Sequence, residues 1–216
     1  MPADDALRDR LVRVGAALLR TESPGALSLR EIARRAGVSH GAPRRYFPTH
    51  LSLLSAIARS GFADLSDQVR TALRAGPEDP RTKIKTIAFL YVRFAAGNRG
   101  MFELMFRHDL LSSGGELGLR DASLPLFRLL TELVAAARPQ AAAEPAEPVP
   151  AAHPQTAAEP LPAAPAEVTA AAIWGTLHGI AELWNWGSLT LATAATDPAP
   201  FIDATLTAHL GPEGPP

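Results

Sequence analysis

Apolar residues recur along this chain at the spacing of helices rather than strands. Leu7, Leu11, Val14 and Leu18 stand at i, i+4, i+7 and i+11, lining one side of a first helix. Leu29, Ile32, Ala33 and Ala36 give a second, with Ser28 as N-cap, Glu31 three residues on as a capping box, and Gly37 as the stop. Ser39 caps a short third helix expected to reach about Tyr46. Pro48 and Thr49 open a long fourth one carrying Leu53, Leu54, Ile57, Phe62, Leu65 and Val69, which the Gly76-Pro77 pair ends. No stretch alternates apolar and polar residues long enough for a sheet.

The pattern continues with broader apolar faces. Ile84, Ile87, Tyr91, Phe94 and Ala95 line a fifth helix, and Met101, Phe102, Leu104, Met105 and Phe106 crowd a sixth. After a loop at Ser112, Ser113, Gly114 and Gly115, a seventh is expected with Ser123 as cap and Pro125 in its first turn, followed by Phe127, Leu130 and Val134. An eighth runs from about Ile173 to Leu191, and a ninth from about Pro198 to His209. The expected fold class is therefore all-α, about nine helices. A three-helix N-terminal unit over residues 4–64 is followed by a helical body over 65–216.

Between the seventh and eighth helices the composition changes abruptly. Residues 139–165 hold eight prolines and are otherwise mostly Ala and Glu. Such a run cannot remain helical and has too little apolar bulk for a core, so a disordered insertion is expected, either a passive loop or a docking segment.

Charge sharpens this division. The net charge is −1, but residues 1–50 hold nine arginines against five acidic residues, and the remainder twelve basic against seventeen acidic. A basic head on an acidic body suits a nucleic-acid partner. The chain has no cysteine, which excludes disulfide scaffolds and thiol nucleophiles. Asp4, Asp5, Arg8, Asp9 and Arg10 stand where a signal peptide needs an apolar run, so a cytoplasmic location is expected. The most membrane-like stretch, Val168 to Thr196, is broken by polar residues and glycines and reads as a buried helix. No phosphate-binding glycine loop or nucleophile elbow is present, and the six histidines are scattered. An enzyme is not expected, nor any cofactor or metal.

The run from Ser28 to Pro48 carries the functional signal. Its physics is that of two short helices docked across a tight turn: Ala33 and Ala36 allow close approach, Gly37 turns the backbone, and Val38 fills the angle. The second helix is then free to lie in a major groove. Arg44 and Arg45 sit on it, either reading guanine edges or holding phosphates.

The sequence IARRAGVSHG (Ile32 to Gly41), then Tyr46, Phe47, Pro48, Leu53 and Leu54, resembles the DNA-binding domain of the TetR family of bacterial regulators. Trp174, His178 and Gly179 resemble a signature of one subgroup. The resemblance implies DNA contacts from Ser28, Arg30, Ser39, His40, Gly41, Ala42, Arg44, Arg45, Tyr46 and His50. Family members often place Thr-Leu-Tyr where this chain has Ala42, Pro43 and Arg44, and lysine where it has His50, so the bases read do not carry over.

The resemblance further implies a homodimer on a pseudo-palindromic duplex and release by a small, largely apolar effector of unknown identity. Candidate effector contacts are Tyr91, Phe94, Met101, Phe102, Met105, Phe106, Phe127, Trp174 and His178, since methionines and aromatics suit an adaptable apolar pocket. Ordinary core packing is the other reading of each. His178 and Glu182, at i and i+4, can also form an intrahelical ion pair. Candidate dimer contacts are Ile173, Leu177, Ile180, Trp184, Phe201 and Leu206, because the eighth helix is apolar all round. The expected function is a ligand-responsive repressor; the alternative is a helical adaptor that has lost specific DNA binding.

Overall fold

The apolar spacing of the chain resolves into nine α-helices among the residues that the computed structural model describes: 2–107, 119–138 and 164–212. The helices are α1 (Pro2–Leu18), α2 (Leu29–Arg35), α3 (His50–Ala75), α4 (Pro80–Gly97), α5 (Arg99–Phe106), α6 (Leu119–Ala137), α7 (Ala166–Asn185), α8 (Ser188–Thr193) and α9 (Ala199–Leu210). No strand occurs among the described residues. The loop expected at Ser112 to Gly115, and all but the last two residues of the Pro-rich segment, lie outside them.

The helix count matches expectation, but two members differ. The third expected helix is a 3-10 turn, Ala42–Arg45. Pro43 offers no N–H there, and the Ala42 and Arg44 amides close three-residue steps onto Ser39 and Gly41. Ser39 thus contributes its backbone carbonyl rather than a side-chain cap. At the other end, the eighth expected helix is broken in two. Gly187 adopts φ 75°, a left-handed conformation that separates α7 from α8.

Helix α6 also begins earlier than its apparent cap at Ser123. It is already helical at Leu119, which is buried, so Pro125 falls inside the helix rather than in its first turn. The start signals at Ser123 and Pro125 therefore do not mark the beginning of α6. The N-caps of α2 and α3 fall at the expected Ser28 and Thr49, but the box expected at Ser28 is half formed, because the Glu31 carboxylate pairs with Arg34 and Arg35. Ser28 Oγ accepts the Glu31 amide at 3.2 Å, and Thr49 and Ser52 form a reciprocal capping box.

One continuous core runs from Leu11 in α1 to Leu206 in α9. Helix α4 is its hub and packs on α3, α6, α7 and α9. Arg81 at the start of α4 donates to the Leu210 and Gly211 carbonyls at the end of α9, at 3.3 and 2.6 Å, and Lys85 pairs with Asp203 at 2.6 Å. The boundary expected at residues 64 and 65 falls within α3, which belongs to both the N-terminal head and the body.

Head and body also meet through α5. A Cβ built on Gly100 lies 2.5 Å from the Leu19 carbonyl oxygen and 2.8 Å from that of Glu22. Both are backbone atoms and cannot swing aside. Gly100→Ala is therefore expected to destabilise the protein by about 1–3 kcal/mol, read as a lower midpoint of urea unfolding.

Candidate DNA interface and effector cavity

The head presents the geometry of a helix-turn-helix. Ile32 and Ala33 are fully buried, and Ala36 nearly so. Gly37, at φ 69°, donates to the Arg34 carbonyl, and Val38 donates to that of Ala33 at 3.0 Å. These two bonds satisfy carbonyls at the end of α2 and reverse the chain into the 3-10 turn. Phe47 is buried, with the Arg8 guanidinium 5.6 Å from its ring centroid.

The residues expected to meet DNA are all at least partly accessible. Ser28, Arg30, Ser39, His40, Gly41, Arg44 and Arg45 are exposed, while Ala42, Tyr46 and His50 are partly so. Ser28 is already engaged as the cap of α2, and His50 is the first residue of α3, with its Nε2 buried and without a partner.

The arginines separate into two sets. Glu31 accepts two bonds from Arg34, at 2.8 and 2.6 Å, and one from Arg35 at 2.8 Å; Arg35 also approaches Glu22. These hydrogen bonds, first that of Arg34 and then that of Arg35, hold the Glu31 carboxyl down at about 2. Among the described residues, Arg30, Arg44 and Arg45 have no such partner.

In the body, a cavity of about 260 Å³ lies between α3, α4, α5, α6 and α7. Phe62, Leu65 and Val69 of α3 form one wall, and Ile87 and Tyr91 of α4 with Phe106 of α5 form the next. Helix α6 contributes Ser123, Leu124, Leu126, Phe127 and Leu130; α7 contributes Ala171, Trp174 and Leu177. Among the described residues, no lining side chain carries a formal charge.

Tyr91 is the polar centre of this wall. Its hydroxyl oxygen lies 2.8 Å from His178 Nδ1 and accepts the Trp174 indole N–H at 3.2 Å. Indole can only donate, so the arrangement that uses every hydrogen has Tyr91 donating to a neutral His178. Burial pushes the His178 pKa below its usual range, with Glu182 pulling the other way, and pushes that of Tyr91 well up. Phe102 stacks on His178 at 5.2 Å between centroids, and Phe106 meets it edge-on at 4.8 Å.

Of the nine expected effector contacts, Tyr91, Phe106, Phe127 and Trp174 line the cavity. His178 stands behind Tyr91 and positions its hydroxyl. No ion pair joins it to Glu182 among the described residues, because its Nδ1 faces Tyr91 instead. Phe94, Met101, Phe102 and Met105 are buried elsewhere in the core. Phe94 belongs to α4, and on the eight-residue α5 Met101, Phe102, Met105 and Phe106 cannot all face one side; Met101 and Met105 both turn toward Gly61 of α3.

The expected dimer contacts need similar revision. Ile173, Leu177, Ile180 and Leu206 are buried within the protomer, and Leu177 lines the cavity. Trp184 and Phe201 are half-buried, packed on each other at 6.5 Å. The exposed apolar residues are instead Val168, Trp174, Leu183, Trp186 and Leu191. An all-round apolar helix fits this arrangement, since one face of α7 meets the core and the other does not.

Because the unfolded chain binds a proton on His178 more readily than the folded one, protonation favours unfolding. The contribution is whole above the ordinary value near 6.5 and is lost as pH falls through the lower folded value. Urea midpoints measured between pH 7.5 and 5, taken as an approximate range spanning that value, should decline toward acid. His178→Asn, which keeps an acceptor for Tyr91 without a titrating ring, should flatten the decline.

Comparisons with known proteins agree with this architecture. Residues 11–57 match the family model described as bacterial regulatory proteins, tetR family, and residues 84–209 match a tetracyclin repressor-like C-terminal domain. No curated protein matches the chain by sequence. Among solved structures, a protein of unknown function from Rhodococcus sp. RHA1 is similar at 25% identity and TM-score 0.71, covering 94% of this chain and 93% of its own. The FadR repressor of Thermus thermophilus, solved with lauroyl-CoA, shares 22% identity at TM-score 0.60, over 97% and 98% of the two chains. RolR, solved with resorcinol, shares 16% at TM-score 0.59, over 96% and 89%. No described helix is long and apolar enough to cross a membrane. With a matched head, a matched body and an exposed helix-turn-helix joined to an apolar cavity, the chain belongs to the TetR family of DNA-binding transcriptional regulators, which are not enzymes.

Proposed function

We propose that this regulator is a homodimeric repressor that leaves its operator when a small, largely apolar molecule occupies the cavity. The observation that carries this reading is the continuity of α3. Its 26 residues span about 39 Å at 1.5 Å per residue, from His50 on the accessible face of the head to Phe62, Leu65 and Val69 in the cavity wall. An effector that prefers one position of that wall also prefers one position of the head, which is all a population shift requires.

In this reading residues 4–64 act as the DNA-binding domain and 65–216 as the effector and dimerisation domain, in the cytoplasm where the chromosome lies. Arg30, Arg44 and Arg45 hold the duplex, with Ser39, His40 and Gly41 at the leading edge of the turn. The ligands in the RolR and FadR structures support a small-molecule role for the corresponding body, without fixing which class this chain takes.

The exposed face of α7 supports the dimer. Gly175 and Gly179 have open space beside them, and Leu183 and Trp186 are 39% and 70% exposed. Two such faces can approach closely and cover their aromatic anchors. A homodimer presents two heads to half-sites about 34–36 Å apart, or a multiple of that.

Two experiments test this. The protein should retain duplex from its own upstream region, with affinity falling steeply between roughly 50 and 200 mM salt. Arg44→Ala or Arg45→Ala should each weaken binding by about 1–3 kcal/mol. A sequence preference unchanged by either substitution identifies that arginine as a phosphate contact. No sequence preference and flat salt dependence would favour the adaptor reading. Separately, sedimentation should give a dimer that Leu183→Arg converts to a folded monomer; a wild-type monomer at micromolar concentration refutes the interface.

A further inference from the structure

We infer that the cavity takes an uncharged aromatic molecule of about ten non-hydrogen atoms, without a carboxylate or phosphate. This rests on the reading of the cavity as the effector site and names the class of effector.

Three observations lead to it. The first is charge. None of the described lining residues is Lys, Arg, Asp or Glu, so an ionised group pressed against them loses its hydration without gaining a partner. The wall's polar centre does not change this. Tyr91 has its hydrogen committed to His178 and its oxygen already accepting from Trp174, and Phe102 and Phe106 cover the His178 ring.

The second is size. An enclosed apolar cavity of about 150 Å³ holds benzene, with its six heavy atoms. Scaled to about 260 Å³, the same packing admits about ten. A long acyl chain with a nucleotide headgroup would have to extend well beyond that volume.

The third is the character of the wall. Phe62, Tyr91, Phe106, Phe127 and Trp174 are all aromatic and come from all five of the cavity's helices. They already meet one another edge to face, Phe62 with Phe106 at 78° and Phe127 with Trp174 at 65°. Such edges and faces are complementary to a further ring, whereas a saturated molecule of the same volume gains only area.

The test uses the full-length protein and four probes followed by calorimetry: naphthalene, decalin, 1-naphthoate and lauroyl-CoA. Naphthalene should bind, decalin several-fold more weakly, and 1-naphthoate at least tenfold more weakly despite its shared ring system. Lauroyl-CoA should not compete. Leu130→Trp, which fills the cavity from α6, should abolish naphthalene binding; Val69→Phe, from α3, repeats the test if that variant fails to fold.

Naphthoate or lauroyl-CoA binding as tightly as naphthalene overturns the uncharged class. Decalin matching naphthalene overturns the aromatic preference, and failure of naphthalene to bind the folded protein overturns both. DNA retention is measured in parallel without probe. Loss of retention there refutes the regulator reading and leaves the binding result intact. Naphthalene that binds but leaves the retained duplex in place shows a bound molecule that is not an effector.

Discussion

A helix of 26 residues that begins beside the DNA-facing turn and ends past the cavity leaves the molecule little freedom to treat its two halves separately. Helix α3 buries Leu53, Leu54 and Ile57 against the head, then Phe62, Leu65 and Val69 against the body, in one unbroken ladder of backbone hydrogen bonds. Bending it costs packing on both sides. Helix α5 adds a second link, seated through Gly100 on the backbone at the end of α1 while Phe106 faces the cavity. Movement in the wall therefore has two packed routes to the head, one along α3 and one through the turn that follows α1.

Much of this was legible in the sequence because local signals and tertiary packing agreed. Ser28, Gly37 and Thr49 mark helix ends where nothing in the fold opposes them, and the structure uses each in the expected way. The differences arise where long-range burial or a single backbone angle decides. Helix α6 is already formed at the buried Leu119, ahead of Ser123 and Pro125, and Gly187 ends α7 although the apolar run continues to Leu191. Pro43 was visible, but its consequence, a 3-10 turn in place of a helix, depends on hydrogen bonds that periodicity does not report.

The cavity was half legible for a related reason. Tyr91, Phe106, Phe127 and Trp174 stood out by residue type, and type was a fair guide where the helix face was broad. It failed on α5, where Met101, Phe102, Met105 and Phe106 look equivalent in sequence yet point to different neighbours. Phe62, Leu65 and Val69 were assigned to the core, which they are; that this core also borders an empty volume follows only from five helices meeting. Tyr91 lies 83 residues from Trp174 and 87 from His178 in the chain, and only the fold reveals their hydrogen-bonded chain.

The Glu31 carboxylate bears on how the head looks to an approaching duplex. By formal count the N-terminal module is strongly basic, but Arg34 and Arg35 have a carboxylate within hydrogen-bonding distance, so their field is largely that of closed dipoles. Within the helix-turn-helix, Arg30, Arg44 and Arg45 remain without such a counter-charge among the described residues, one at the start of α2 and two on the turn; Arg10, Arg13 and Arg20 of the head are likewise outside any ion pair there. Within the helix-turn-helix the uncompensated positive charge thus stands at the start of α2 and on the turn rather than along the rest of α2, so attraction of a duplex to this element comes from those few side chains.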